Sequence, residues 1–133
     1  MKNLKNIWLI VSILDTIAIL ILSLISKSTI LQISIFDLAS VDKLGHCSMY
    51  GLDAFCIGMW TKIKNLKISY CYTKIFAFLF TMGSLMEILQ YLMAYGRTLD
   101  YLDQLANTIG ILIGLTCFHR YSLFLVSGRN IND

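Results

Sequence analysis

Between Glu87 and Gly114 the chain reads EILQYLMAYGRTLDYLDQLANTIGILIG, a cluster of polar and charged groups wedged between two strongly apolar runs. Glu87 and Gln90 end one run, Arg97, Asp100 and Asp103 fall in the connector, and Asn107 opens the next. A charge at the centre of a bilayer-spanning helix costs roughly 2.5–3.5 kcal/mol on insertion scales, so such groups face partners rather than lipid. This stretch therefore predicts helices that bury polar groups against one another. A globular aqueous domain would distribute these groups over its surface instead.

The rest of the chain fits that reading. Hydrophobic residues make up 57% of the 133 positions and charged ones only 14%, with a mean hydropathy of +0.71. Crossing a hydrocarbon core takes about 20 helical residues, so apolar segments consume most of the length. The predicted class is an all-α integral membrane bundle of four transmembrane helices, forming a single domain over 1–133. Spans are expected at about 7–26, 44–60, 75–93 and 104–126. Proline is absent, so no proline kink is available to any helix. A net charge of +3, confined to short loops, gives no footprint for nucleic acid.

The first run, IWLIVSILDTIAILILSLIS, follows Lys2 and Lys5. It exceeds the ~7–15-residue core of a signal peptide and lacks a small-x-small cleavage site, so it is expected to stay as an anchor. Asp15 sits in its middle, read as a carboxyl packed against a neighbouring helix. Residues 27–43 are expected to form an outer connector, with the apolar piece 30–36 at the interface. In the second span, His46, Tyr50 and Asp53 fall within about 60° of one another on a helical wheel. In the fourth, Asp103, Asn107, Gly110 and Gly114 form one stripe, and Gly110-x-x-x-Gly114 leaves a smooth patch for close approach of another helix.

Basic residues set the expected orientation. Placing both termini and the loop between spans two and three on one side gathers Lys2, Lys5, Lys62, Lys64, Lys67, Lys74, Arg120 and Arg129, against Lys27, Lys43 and Arg97 on the other. That bias predicts cytoplasmic termini. Asp42, Lys43, His46, Glu87, Gln90, Arg97, Asp100, Asp103 and Asn107 then converge near the outer face. Cys47, Cys56, Cys71 and Cys117 show no paired or metal-like spacing. His119, beside Arg120, is expected at the surface near the cytoplasmic end.

These residues allow several kinds of chemistry. Lys43 and Arg97 suit an anion such as a lipid phosphate or a carboxylate. His46 and Glu87 are the acid–base candidates if they are close and partly desolvated. Asp103 and Glu87 can instead neutralise the two cations, while Tyr50 and Gln90 are hydrogen-bonding partners or packing. Asn107 with the glycines reads as packing. A His, Glu and Asp set can hold zinc, but no His-x-x-x-His or similar pair lies on one helix, so neither metal nor another cofactor is expected.

Two strings resemble a known family. Asp42-Lys43-Leu44-Gly45-His46 followed by Tyr50 is similar to the D-K-x-x-H-x-x-x-Y motif of VanZ-like proteins. Glu87-x-x-Gln90, Gly96-Arg97, Asp100-x-x-Asp103 and Asn107-x-x-Gly110-x-x-x-Gly114 resemble the second block of that family, in the expected order across an intervening span. The chain departs from the family in having no proline before the Gly-Arg pair or near the end of the first span. The resemblance implies a small multi-pass protein of the bacterial cytoplasmic membrane. The family's named example is associated with resistance to the glycopeptide teicoplanin.

Three functions follow as expectations. The first is a cell-envelope protein whose outer polar pocket binds or modifies an anionic lipid or lipid-linked envelope precursor. The second is a non-enzymatic accessory subunit packing on another membrane protein through its glycine face. The third is an ion-coupled transporter subunit drawing on Asp15 and Asp53.

Overall fold

A segment that leaves water must satisfy its backbone polar groups internally, and long apolar runs without proline do so as continuous helices. The computed structural model describes residues 4–24, 38–64, 68–93 and 100–129, and these form four helices. They are α1 (Leu4–Leu24), α2 (Leu38–Ile63), α3 (Ile68–Leu92) and α4 (Tyr101–Arg129). Three of them contain segments long and apolar enough to cross a membrane: Asn6–Ser23, Cys71–Leu92 and Tyr101–Phe124. With no strand among the described residues, the chain is an all-α membrane bundle.

The helices alternate in direction. Trp8 meets Phe55 edge to face, and Ser12 bonds Asp53, so α1 and α2 run antiparallel. Tyr72 meets His119 while Gln104 reaches the Phe80 carbonyl, which makes α3 and α4 antiparallel. The pairs Lys43/Asp103, His46/Asn107 and Lys62/Ser122 climb in step, so α2 and α4 are parallel. Gln90 donates to the Ser23 carbonyl and aligns the ends of α1 and α3.

Polarity is inverted relative to a soluble bundle. Ile10, Ile13, Leu14, Ile17, Ile21 and Leu22 of α1 are exposed, whereas Ser12, Asp53, Thr61, Glu87, Gln90, Asp103, Asn107 and Ser122 are buried. An apolar core of Ile19, Tyr50, Ala54, Ile75, Leu79, Ile111 and Leu115 fills the centre. Helix α2 is the one of the four without a segment both long and apolar enough to cross a membrane, and it touches each of the other three. Its 26 residues rise about 39 Å, enough to span a bilayer, and its neighbours shield its polar groups from lipid.

The glycine stripe of α4 is taken up inside the chain. Gly110 lies against the Cys47 carbonyl and Gly114 against the Gly51 carbonyl and the Ala54 β-carbon, so a side chain at either would overlap the main chain of α2. The face expected to receive a partner protein is therefore covered by α2. Asp53 is likewise satisfied within the bundle, accepting hydrogen bonds from Ser12 Oγ at 2.5 Å and Thr16 Oγ1 at 2.8 Å. All four cysteines are free.

Two boundaries shift from expectation. The connector expected to run through Lys43 ends earlier, since helix α2 begins at Leu38 and carries Asp42 and Lys43. Asp103, expected in the next connector, belongs to the first turn of α4. The apolar piece 30–36 lies outside the described residues.

Candidate functional site

One end of the bundle collects the first turns of α2 and α4 and the last turns of α1 and α3. At this end Asp100 caps α4: its Oδ1 accepts from the Leu102 N–H at 2.9 Å and its carbonyl from the Asp103 N–H at 3.1 Å. Asp103 follows in the first turn, where a negative charge suits the helix N-terminus. Lys43, just outside the apolar part of α2, reaches across to both, at 3.3 Å from Asp100 and 3.6 Å from Asp103. Partial desolvation lowers the Lys43 pKa, but the hydrogen bond to Asp100 and the charges of both aspartates outweigh it and hold the ammonium above the usual lysine range.

His46 sits one turn further into the bundle, its side chain 9% exposed. Its Nδ1 lies 3.0 Å from Asn107 Oδ1, and its Nε2 lies 3.8 Å from Asp42 Oδ1. The direction of the first bond follows from its neighbours. Gln104 Nε2 points to the Phe80 carbonyl at 3.4 Å, which turns Gln104 Oε1 toward Asn107 Nδ2 at 3.5 Å. Asn107 then presents its oxygen to His46, and the tautomer that completes this bond is the one in which Nδ1–H donates. Nε2 is left on the side of Asp42, and one ligand atom from each of Asp42, His46 and Asp103 lies within 4.8 Å of the other two.

Glu87 is buried on α3, one turn beyond Gly83, a position that lies against the Tyr50 ring. Tyr50 stacks alongside His46, with ring centroids 6.5 Å apart and planes 24° from parallel. The Tyr50 ring thus reaches both His46 and the turn of α3 that precedes Glu87. Its hydroxyl is buried and has no hydrogen-bond partner among the described residues. Gln90 belongs to a different contact, the Ser23 carbonyl of α1 at 2.8 Å. Arg97 lies outside the described residues.

The structure thus brings Asp42, Lys43, His46, Asp100, Asp103 and Asn107 into one cluster, with Tyr50 and Glu87 behind it. His46, Tyr50 and Asp53, on one face of α2, meet different partners: His46 turns to α4, Asp53 to α1, and Tyr50 fills the core. Sequence reasoning passed over Gln104, which orients Asn107, although its position three residues before Asn107 on a helix is the signal that pairs them. Gly83 was also passed over. A β-carbon there would meet Asn107 Nδ2 at 2.9 Å and Gln104 Oε1 at 3.0 Å, so its missing side chain makes room for the amide pair.

At the opposite end the described charges are basic. Lys62 donates to the Ser122 carbonyl at 2.5 Å, and Lys64, Lys74 and Arg120 are exposed. His119 pairs with the Tyr72 hydroxyl at 3.0 Å near that end.

No curated protein and no solved structure matches the chain. The family model described as VanZ/LLP1 matches residues 3–125, from the start of α1 to near the end of α4 and across every residue of the cluster, and the chain belongs to that family.

Proposed function

We propose that this protein is a bacterial cell-envelope membrane protein that binds the polar headgroup of a membrane lipid or lipid-linked envelope precursor at its acid-rich end. In doing so it lowers susceptibility to teicoplanin-type glycopeptides. The basic end faces the cytoplasm and the cluster faces outward. The carrying observation is the convergence of Lys43, His46, Asp100, Asp103 and Asn107 from two parallel helices at one bundle end. Buried charges of this kind are costly in a membrane protein and are kept where they serve a ligand or a reaction. Lys43 is the described cation that meets an anionic headgroup, and its side chain is 29% exposed. His46 and Glu87 are the groups that exchange a proton if the headgroup is modified.

The test is the teicoplanin susceptibility of a bacterial host carrying wild-type protein, His46→Gln or Lys43→Gln at matched membrane abundance. Wild type should protect, and either substitution should return the host to the susceptibility it has without the protein. If wild type gives no protection, the glycopeptide role falls. If both variants protect fully, the cluster is not the site.

A further inference from the structure

We propose that Asp42, His46 and Asp103 form a binding site for one divalent transition-metal ion of the Zn²⁺ or Mn²⁺ class. Three observations carry it. The first is donor geometry. Asp42 and His46 are one turn apart on α2, Asp103 opens α4, and one ligand atom of each lies within 4.8 Å of the others. Ligands around Zn²⁺ at about 2.0–2.2 Å stand roughly 3.4 Å from one another. His46 Nε2 and Asp42 Oδ1 are already 3.8 Å apart, too far for a hydrogen bond between them and close to that spacing. Small side-chain rotations complete the set. One imidazole and two carboxylates leave at least one coordination position for water or a ligand oxygen.

The second observation is the support behind the histidine. A metal-ligating imidazole is usually fixed by a hydrogen bond from its other nitrogen. Here the Phe80 carbonyl, Gln104 and Asn107 form a series that engages Nδ1 and leaves Nε2 on the side of Asp42. Third, Asp103 is 3% exposed and its Oδ1 is a buried atom with no hydrogen-bond partner among the described residues. Lys43 approaches this oxygen only to 3.6 Å.

Among the described residues the cluster also holds Asp100 and the ammonium of Lys43, so carboxylates predominate around the site. A divalent ion balances Asp42 and Asp103, and Lys43 keeps Asp100 at 3.3 Å. The proposal rests on the same bundle end as the headgroup reading, but its test uses metal alone.

The experiment uses the full chain in detergent, free of any histidine tag, stripped with chelator and titrated with Zn²⁺ and separately with Mn²⁺. Wild type should take up one equivalent of at least one of the two. His46→Gln and Asp103→Asn, shown by circular dichroism to remain helical, should weaken that uptake more than about tenfold. His119→Gln and Cys71→Ser should bind like wild type. Absence of stoichiometric uptake of both metals by wild type overturns the proposal, as does uptake unaffected by His46→Gln and Asp103→Asn. If these variants fail to fold, Co²⁺ loading of wild type decides. Ligand-field bands without a sulfur charge-transfer band support the site, whereas a sulfur band places the metal on a cysteine and overturns it. A protein that binds metal but gives no glycopeptide protection sinks the functional reading alone. One that protects without binding metal sinks only this one.

Discussion

Asp53 shows how a single carboxyl is accommodated deep in an apolar bundle. It is completely buried, and the two hydroxyls that satisfy it come from Ser12 and Thr16, one turn apart on α1. Interhelical hydrogen bonds in membrane proteins average about 0.6 kcal/mol and reach about 1.7. Ser12→Ala or Thr16→Ala should therefore each cost up to about 1.7 kcal/mol. Asp53→Leu should cost more, because it strands both hydroxyls. Asp53→Asn keeps an acceptor and should lie close to wild type. Unfolding of the detergent-solubilised protein with a denaturing surfactant measures all four, and an Asp53→Asn variant as unstable as Asp53→Leu would contradict the account. Asp15 and Asp53 both stand out in the sequence as intramembrane carboxyls, but their environments do not. Ser12 lies one turn before Asp15 on the same helix, yet its hydroxyl crosses to Asp53. Which carboxyl a serine serves depends on helix rotation, and local spacing does not encode that rotation.

At the scale of the helix, the parallel pair α2 and α4 builds the cluster, and glycine sets its spacing. Gly51 on one helix and Gly110 and Gly114 on the other let the backbones approach until carbonyls occupy the space a side chain would take. That approach brings Lys43 to Asp103 and His46 to Asn107. Overpacking typically costs about 1–3 kcal/mol, and here the obstacle is main chain that cannot rotate away. Gly110→Leu should thus sharply reduce membrane abundance, whereas Gly45→Ala, with open space around it, should not. Immunoblots of membrane fractions distinguish the two, and normal abundance of Gly110→Leu would mean that the helices are not locked at this point. The Gly-x-x-x-Gly spacing announces close approach in the sequence but carries no label for the partner. Gly51, which completes the contact, stands without a second glycine four residues away. The four helices themselves were legible because apolar length is a property of each run alone. Asp42 and His46 show the opposite case: their spacing is plain on one helix, but nothing in it announces that Asp103 of another helix joins them.

Across the whole molecule, charge is sorted by end. Among the described residues, Asp42, Glu87, Asp100 and Asp103 lie toward one end with Lys43, and Lys62, Lys64, Lys74 and Arg120 lie toward the other. Basic segments are retained on the cytoplasmic side during insertion, so the sorting and the expected orientation point the same way. This orientation can be tested independently of function. In a background with Cys47, Cys56, Cys71 and Cys117 replaced by serine, a single cysteine is placed at Tyr101 or at Lys64. Both positions are exposed. A membrane-impermeant thiol reagent applied to intact cells should label Tyr101→Cys, and Lys64→Cys only after permeabilisation. The reverse pattern would put the cluster in the cytoplasm, away from an antibiotic that arrives from outside. A headgroup site would then have to serve the inner leaflet, and the glycopeptide role would lose its physical basis even though the fold and the cluster stood unchanged.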